Sequence, residues 1–246
     1  RTLEAEYPVI WADALYEKIR ENHRIESKAV MVIKAVNLSG QQEILAIEPM
    51  ENESEETYSV LFGSLQNRGL KKVWLCVSDA HKGLQAAITK CFPGTTWQRC
   101  KVHFMRNILS YVSQKGKEIV AAKLKLIWKA PDESSARKLK DSFCSEFENS
   151  FPKAVDCLED GFEDSIQFYS FSELDSRKIS STNTLERMNK EIRRRSSVVG
   201  VFPSTDSYIR LITSYLLEYS EDWQTERCYI NSDSIQCQRE LLFKAA

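Results

Sequence analysis

Val73-Trp74-Leu75-Cys76-Val77 runs without a polar residue into Ser78-Asp79. Five apolar side chains in succession leave neither face of a strand for water, so the segment reads as a central strand covered by helices on both sides. An Asp just past such a strand stands where ligands gather in open α/β sheets. Upstream, Val9-Ile10-Trp11 is a short apolar run leading into Asp13, Ala29–Val36 is rich in Val and Ile, and Glu43–Ile47 follows a turn at Ser39-Gly40. Short connections between three such runs predict an antiparallel meander. Tyr58, Leu61, Phe62 and Leu65 recur at helical spacing, and Gly69 ends that helix. Downstream come a helix (Leu84, Ile88, Cys91), a Pro93-Gly94 turn, a short strand Thr95–Arg99 and another helix (Val102, Met105, Leu109, Val112).

The pattern changes at Lys115. Ala136, Leu139, Phe143 and Phe147 form one apolar stripe, and Val155, Leu158, Phe162 and Ile166 form another, punctuated by Pro131 and Pro152. The expectation is an α/β core over residues 1–114 and 171–246, interrupted by an all-helical insertion over 115–170. A helix around Leu185–Arg195 and a long amphipathic one over Tyr208–Trp223 complete the chain.

At 246 residues the chain can bury one large core, or a core plus an inserted subdomain. Its 42% hydrophobic and 28% charged residues exclude a disordered tail. No apolar run is long enough to span a bilayer, and Arg1-Thr2-Leu3-Glu4 is no signal peptide. With no initiator Met and strand-like sequence within ten residues, the chain is expected to be part of something longer. Seven irregularly spaced cysteines do not make a disulfide framework, which points to a reducing cytosol. A net charge of −1 argues against coating nucleic acid by bulk charge, while a local basic patch stays open.

Asp13 on or at the end of a strand, Asp79 past a buried strand and Glu186 in the first turn of a late helix form one candidate set. Three such carboxylates suit two hard divalent ions, Mg²⁺ or Mn²⁺, roughly 4 Å apart. The plainer reading makes each Asp a turn or cap residue and makes Asn183-Thr184-Leu185-Glu186 a capping box.

The wording around these acids separates the two. Trp11-Ala12-Asp13-Ala14-Leu15-Tyr16-Glu17-Lys18-Ile19-Arg20 resembles the first-Asp segment of mutator-type insertion-sequence transposases. Val77-Ser78-Asp79-Ala80-His81-Lys82-Gly83-Leu84 is similar to their second-Asp segment, and Trp97-Gln98-Arg99-Cys100-Lys101-Val102-His103-Phe104-Met105-Arg106-Asn107 to their most distinctive string. Thr182-Asn183-Thr184-Leu185-Glu186-Arg187-Met188-Asn189-Lys190-Glu191-Ile192-Arg193-Arg194-Arg195, then Val198-Val199-Gly200-Val201-Phe202-Pro203, resembles the segment carrying their Glu. The matches keep the family's order and cover nearly the whole chain. The resemblance implies a ribonuclease-H-like mixed sheet flanked by helices, with the helical insertion between the second Asp and the Glu. It also implies metal-dependent DNA cleavage and strand transfer by Asp13, Asp79 and Glu186, acting on terminal inverted repeats and target DNA as a homodimer or larger assembly, in the cytoplasm at the nucleoid. The family's N-terminal DNA-binding region has no counterpart here. Asp175-Ser176, Ser180, Thr184 and Ala80 depart from the family's His-Trp, basic residue, Pro and Gly. A nuclease that cuts without joining, and a transposase-derived regulator without catalysis, are the alternatives.

Cys100 and His103 match the family's Cys-x-x-His pair. Structural zinc needs four ligands and no second pair is present, so both are expected to pack or hydrogen-bond beside the site. His81 is a candidate for contact with metal-bound water or DNA, or else a helix-start residue. Arg187, Lys190, Arg193, Arg194 and Arg195 are expected to meet DNA phosphates, Arg187, Lys190 and Arg194 sharing a helix face. Leu185, Met188 and Ile192 should bury the opposite side.

Overall fold

The computed structural model describes residues 1–21, 23–225 and 228–244. Three strands come first: β1 (Glu6–Glu21), β2 (Arg24–Val36) and β3 (Gln42–Met50). Helix α1 (Glu55–Asn67), strand β4 (Lys72–Ser78), helix α2 (Lys82–Cys91) and strand β5 (Thr96–Arg99) follow. They build one five-stranded mixed sheet in the order β3-β2-β1-β4-β5. β1 pairs antiparallel with β2 and β2 with β3, as the short connections predict, while β4 runs parallel to β1 and β5.

Side-chain alternation assigns the two faces. Ile10, Ala12, Met31 and Ile33 pack with Tyr58, Leu61, Phe62 and Leu65 of α1 and Leu84 and Ile88 of α2. Val9, Trp11, Leu15, Val30, Val32, Leu75 and Val77 face the helices that follow β5. With both faces covered, β4 is buried from Val73 to Ser78, as its unbroken apolar run requires.

The second set of helices is α3 (Lys101–Ser110), α4 (Lys117–Ile127), α5 (Glu133–Phe147) and α6 (Pro152–Ser165). A 3-10 turn (Gln167–Ser170) leads to α7 (Ser176–Ile179), α8 (Asn183–Ser196), α9 (Thr205–Thr225) and α10 (Ser232–Lys244). Asp132 caps α5 by accepting the Ser135 N–H at 2.8 Å, and Pro152 opens α6 where its missing donor is harmless. Val120, Leu124, Phe143, Phe147, Leu158 and Phe162 belong to the same continuous core as Val9 and Trp11. Gly161 permits a close approach: a methyl group there would collide with Arg99 and with the Phe104 ring. Across the core, buried Gln98 ties β5 to the end of α6, donating to the Ser165 carbonyl at 2.8 Å and accepting the Phe168 N–H at 2.8 Å.

The structure extends the sequence reading in three places. β1 continues ten residues beyond Trp11, so Asp13 lies inside a strand and not at its end. β2 begins at Arg24 rather than Ala29. Helix α10 has no counterpart among the expected elements.

Candidate active site

The register of β1 on β4 brings the first two acids together. Ala12 pairs with Ser78, and Asp13 and Asp79 are the next residues on these parallel strands. Continuing the alternation from Val9 and Trp11, the Asp13 carboxylate falls on the face toward α8. Past this point β4 has ended, so Asp13 borders an opening. The buried Ser78 hydroxyl fixes the strand end, donating to the Asp79 carbonyl at 2.9 Å and accepting the Trp97 indole N–H at 2.9 Å. Asp79 itself is exposed, with Oδ1 accepting the Ala80 N–H at 2.7 Å.

Helix α8 delivers the third acid. Leu185, Met188 and Ile192 are fully buried, which turns its other flank toward the sheet end, and Asn189, three residues after Glu186, is 5% exposed. Asn189 donates Nδ2 to Asp13 Oδ2 at 2.8 Å, so the helix bearing Glu186 also grips the first Asp. The capping-box reading fails here. The N-cap is Thr182, one residue earlier than that reading requires, and the Glu186 N–H bonds the Thr182 carbonyl as an ordinary helical residue. The Glu186 carboxylate turns instead to α3, accepting from Arg106 Nη1 at 3.0 Å and Nη2 at 3.3 Å, with His103 Nε2 at 3.2 Å.

Cys100 is the hub of these contacts. Its N–H donates to the Ser78 carbonyl at 2.7 Å, and its sulfur accepts from the Thr182 N–H and hydroxyl, each at 3.3 Å. The strand end before Asp79 and the start of the Glu186 helix are thus pinned through one buried residue. Among the described residues, no group of three or more His, Cys, Asp and Glu side chains stands ready to hold a metal ion.

The electrostatics follow from this crowding. Burial pushes the Asp13 carboxyl up to about 6, with Glu186 and Asp79 adding to the rise and His103 opposing it. His103 is raised to about 9, chiefly by its hydrogen bond with the Cys100 side chain, against the effect of its own burial. Burial disfavours the Cys100 thiolate, yet the bond and charge of His103 outweigh it and bring the thiol below its ordinary value. At neutral pH, His103 therefore stands as a cation beside Asp13.

Asp13, Asp79, His81 and His103 line a cleft of about 240 Å³, shared with Tyr16, Glu53 and Tyr58. A larger groove of about 750 Å³ between β3 and α9 contains none of the three acids. His81 precedes α2, edge-on to Tyr58 with ring centroids 5.5 Å apart. Of the α8 cations, Arg187, Lys190 and Arg193 are exposed and make no ion pair among the described residues. Arg194 bonds Glu191 at 2.9 Å, and Arg195 lies over the Tyr215 ring of α9 at 4.5 Å. Arg106, Asn189, Glu53 and the two tyrosines escaped the sequence reading. Arg106 follows His103 by three residues and Asn189 follows Glu186 by three, the spacing that shares a helix face.

Oxygen donors alone suit a hard divalent ion, and the burial that lifts Asp13, with Glu186 and Asp79 adding to it, marks a place where added positive charge is favoured. Asp13 and Asp79 could offer such an ion oxygen ligands, while the Glu186 carboxylate is engaged by Arg106 and His103.

The family model described as "Transposase, Mutator family" matches residues 1–226. The transposase for insertion sequence element IS256 in transposon Tn4001 of Staphylococcus aureus is 38% identical over 94% of this chain and 60% of its own length. The transposase for ISRM5 of Rhizobium meliloti is 34% identical over 100% of this chain and 62% of its own. That for IS1081 of Mycobacterium tuberculosis is 34% identical over 96% and 57%. The chain thus spans about 60% of the length of the curated relatives it matches.

Proposed function

The chain belongs to the Mutator family of transposases, and on that premise we propose that it is the catalytic core of a DNA transposase whose working acids are Asp13, Asp79 and Glu186. The observation that carries the reading is the β1–β4 register, which sets Asp13 beside Asp79, with the Asn189–Asp13 bond bringing the Glu186 helix to them. We read the fold as ribonuclease-H-like, on the strand order and the parallel β1–β4–β5 half of the sheet, and residues 115–170 as an insertion between the second Asp and the Glu.

Two Mg²⁺ or Mn²⁺ ions held by these acids would activate the attacking oxygen and stabilise the leaving one. Asn189 occupies one oxygen of Asp13 and the Ala80 N–H one oxygen of Asp79, fixing how each carboxylate faces the opening. The chemistry is two displacements at phosphorus. Water forms a bond to the phosphorus at the element end, the bond to the 3′-oxygen breaks, and that oxygen leaves as a hydroxyl. The hydroxyl then attacks a target phosphorus and displaces the target's own 3′-oxygen. Arg187, Lys190 and Arg193, exposed on the helix that bears Glu186, would meet phosphate oxygens. The protein acts on element ends and target DNA as a homodimer or larger assembly, in the cytoplasm at the nucleoid.

Binding of duplex DNA by this chain should be weak and salt-dependent, because few cations are available and the net charge is −1. Removing Arg187, Lys190 and Arg193 together should flatten the plot of log K against log salt by about 3, near 0.9 for each phosphate released. Fluorescence anisotropy across a salt series reads this directly. An unchanged slope would place the DNA elsewhere, and tight sequence-specific binding would place end recognition within this chain.

A further inference from the structure

Among the described residues, Arg106 is the one arginine that grips a member of the proposed acid set. Its guanidinium meets both oxygens of Glu186, at 3.0 and 3.3 Å, in the two-pronged geometry by which arginine matches a carboxylate or a phosphate. Its side chain is 58% exposed, whereas that of Glu186 is 27% exposed. The carboxylate is held in place by its helix, while the arginine reaches in from solvent and is free to leave. Arg106 also sits on α3, one turn beyond His103 and anchored through Cys100 to the strand end carrying Asp79.

We infer that Arg106 is an exchangeable counter-ion: it neutralises Glu186 in the free protein, yields that carboxylate to a divalent cation, and transfers its guanidinium to a DNA phosphate beside the acids. The inference rests on the proposed role of Glu186 as a metal ligand. The exchange is matched in kind. Glu186 gives up two N–H donors and gains a cation, and Arg106 gives up a carboxylate and gains the oxyanion for which its fork is equally suited. Without the exchange, either Glu186 or a bound phosphate would face the acids with its charge unopposed. His103 touches the same Glu186 oxygen at 3.2 Å but, at 18% side-chain exposure, is less free to swing into solvent.

The test has two readouts that move in opposite directions. In the full-length protein, Arg106→Ala should tighten Mn²⁺ binding measured by electron paramagnetic resonance without DNA, by threefold or more, since a competitor for Glu186 has gone. The same variant should lose at least tenfold in end cleavage at saturating metal, and Arg106→Lys should recover part of that loss. Weaker or unchanged Mn²⁺ binding in Arg106→Ala overturns the counter-ion role, and undiminished cleavage overturns the transfer to phosphate. Glu186→Gln serves as the reference. If it leaves Mn²⁺ binding unaltered, the metal reading of Glu186 falls. If it weakens binding while Arg106→Ala does nothing, only the exchange falls.

Discussion

Replacing Glu186 by Gln is expected to lower Mg²⁺-dependent end cleavage by the full-length protein roughly a thousandfold, a loss of about 4 kcal/mol in transition-state stabilisation. The amide keeps the size and helix position of the acid but removes the charge a metal requires. The fold should hardly notice. Glu186 makes no capping bond, its contacts are to the half-exposed Arg106 and to His103, and such ion pairs contribute about 1 kcal/mol or less. The melting temperature should therefore stay within about 4 °C of wild type. Asp13→Asn and Asp79→Asn should be as damaging to cleavage. A Glu186→Gln protein that cuts at near wild-type rate would remove Glu186 from the site, whatever its melting curve.

The second large effect concerns a lysine away from the acids. Lys34, 3% exposed in β2, has no carboxylate partner among the described residues. Its ammonium donates to Thr184 Oγ1 at 2.7 Å and lies 4.3 Å from the centre of the Trp223 ring. Burial brings it down to about 7 from 10.5. A displacement of this size corresponds to a net cost on the order of 5 kcal/mol for the charged form. Lys34→Met should consequently stabilise the protein by a few kcal/mol below pH 7, where Lys34 is charged in folded and unfolded states alike. Between pH 7 and 10.5 the unfolded chain binds the additional proton, so wild-type stability rises with pH relative to the variant and the difference shrinks. Denaturant melts of both proteins across that window check the sign. A variant less stable than wild type at pH 6.5 would show that the cation is favoured where it sits.

Where burial imposes a strict pattern, the sequence could be read. Val73–Val77 must be a central strand, and the helical stripes of α1, α6 and α8 lie where their periods put them, whereas in α5 Ala136, Phe143 and Phe147 are buried and Leu139 of the expected stripe is exposed. The far half of β1 was hidden because Leu15 and Ile19, its buried residues beyond Asp13, are four apart and suit a helix equally well. Helix α10 was hidden for another reason. It buries little besides Ile235 and Gln238, and the Gln238 amide accepts the Glu173 N–H, a contact no hydrophobic pattern announces. The three proposed acids are singled out by the strings around them, not by spacing. Their convergence depends on the register that pairs Ala12 with Ser78 across sixty-odd residues of chain. Arg106 and Asn189 were within reach of a helical-face argument, but the choice of Glu186 and Asp13 as their partners is a tertiary fact.

The central claim is tested most directly by incubating the full-length protein with its cognate element ends, a target duplex and Mg²⁺ or Mn²⁺, and resolving the products on a denaturing gel. The account predicts joined element–target strands that require the divalent ion, disappear with chelator, and are absent for Asp79→Asn. Joined products that persist under chelation, or that Asp79→Asn forms as readily as wild type, would contradict it.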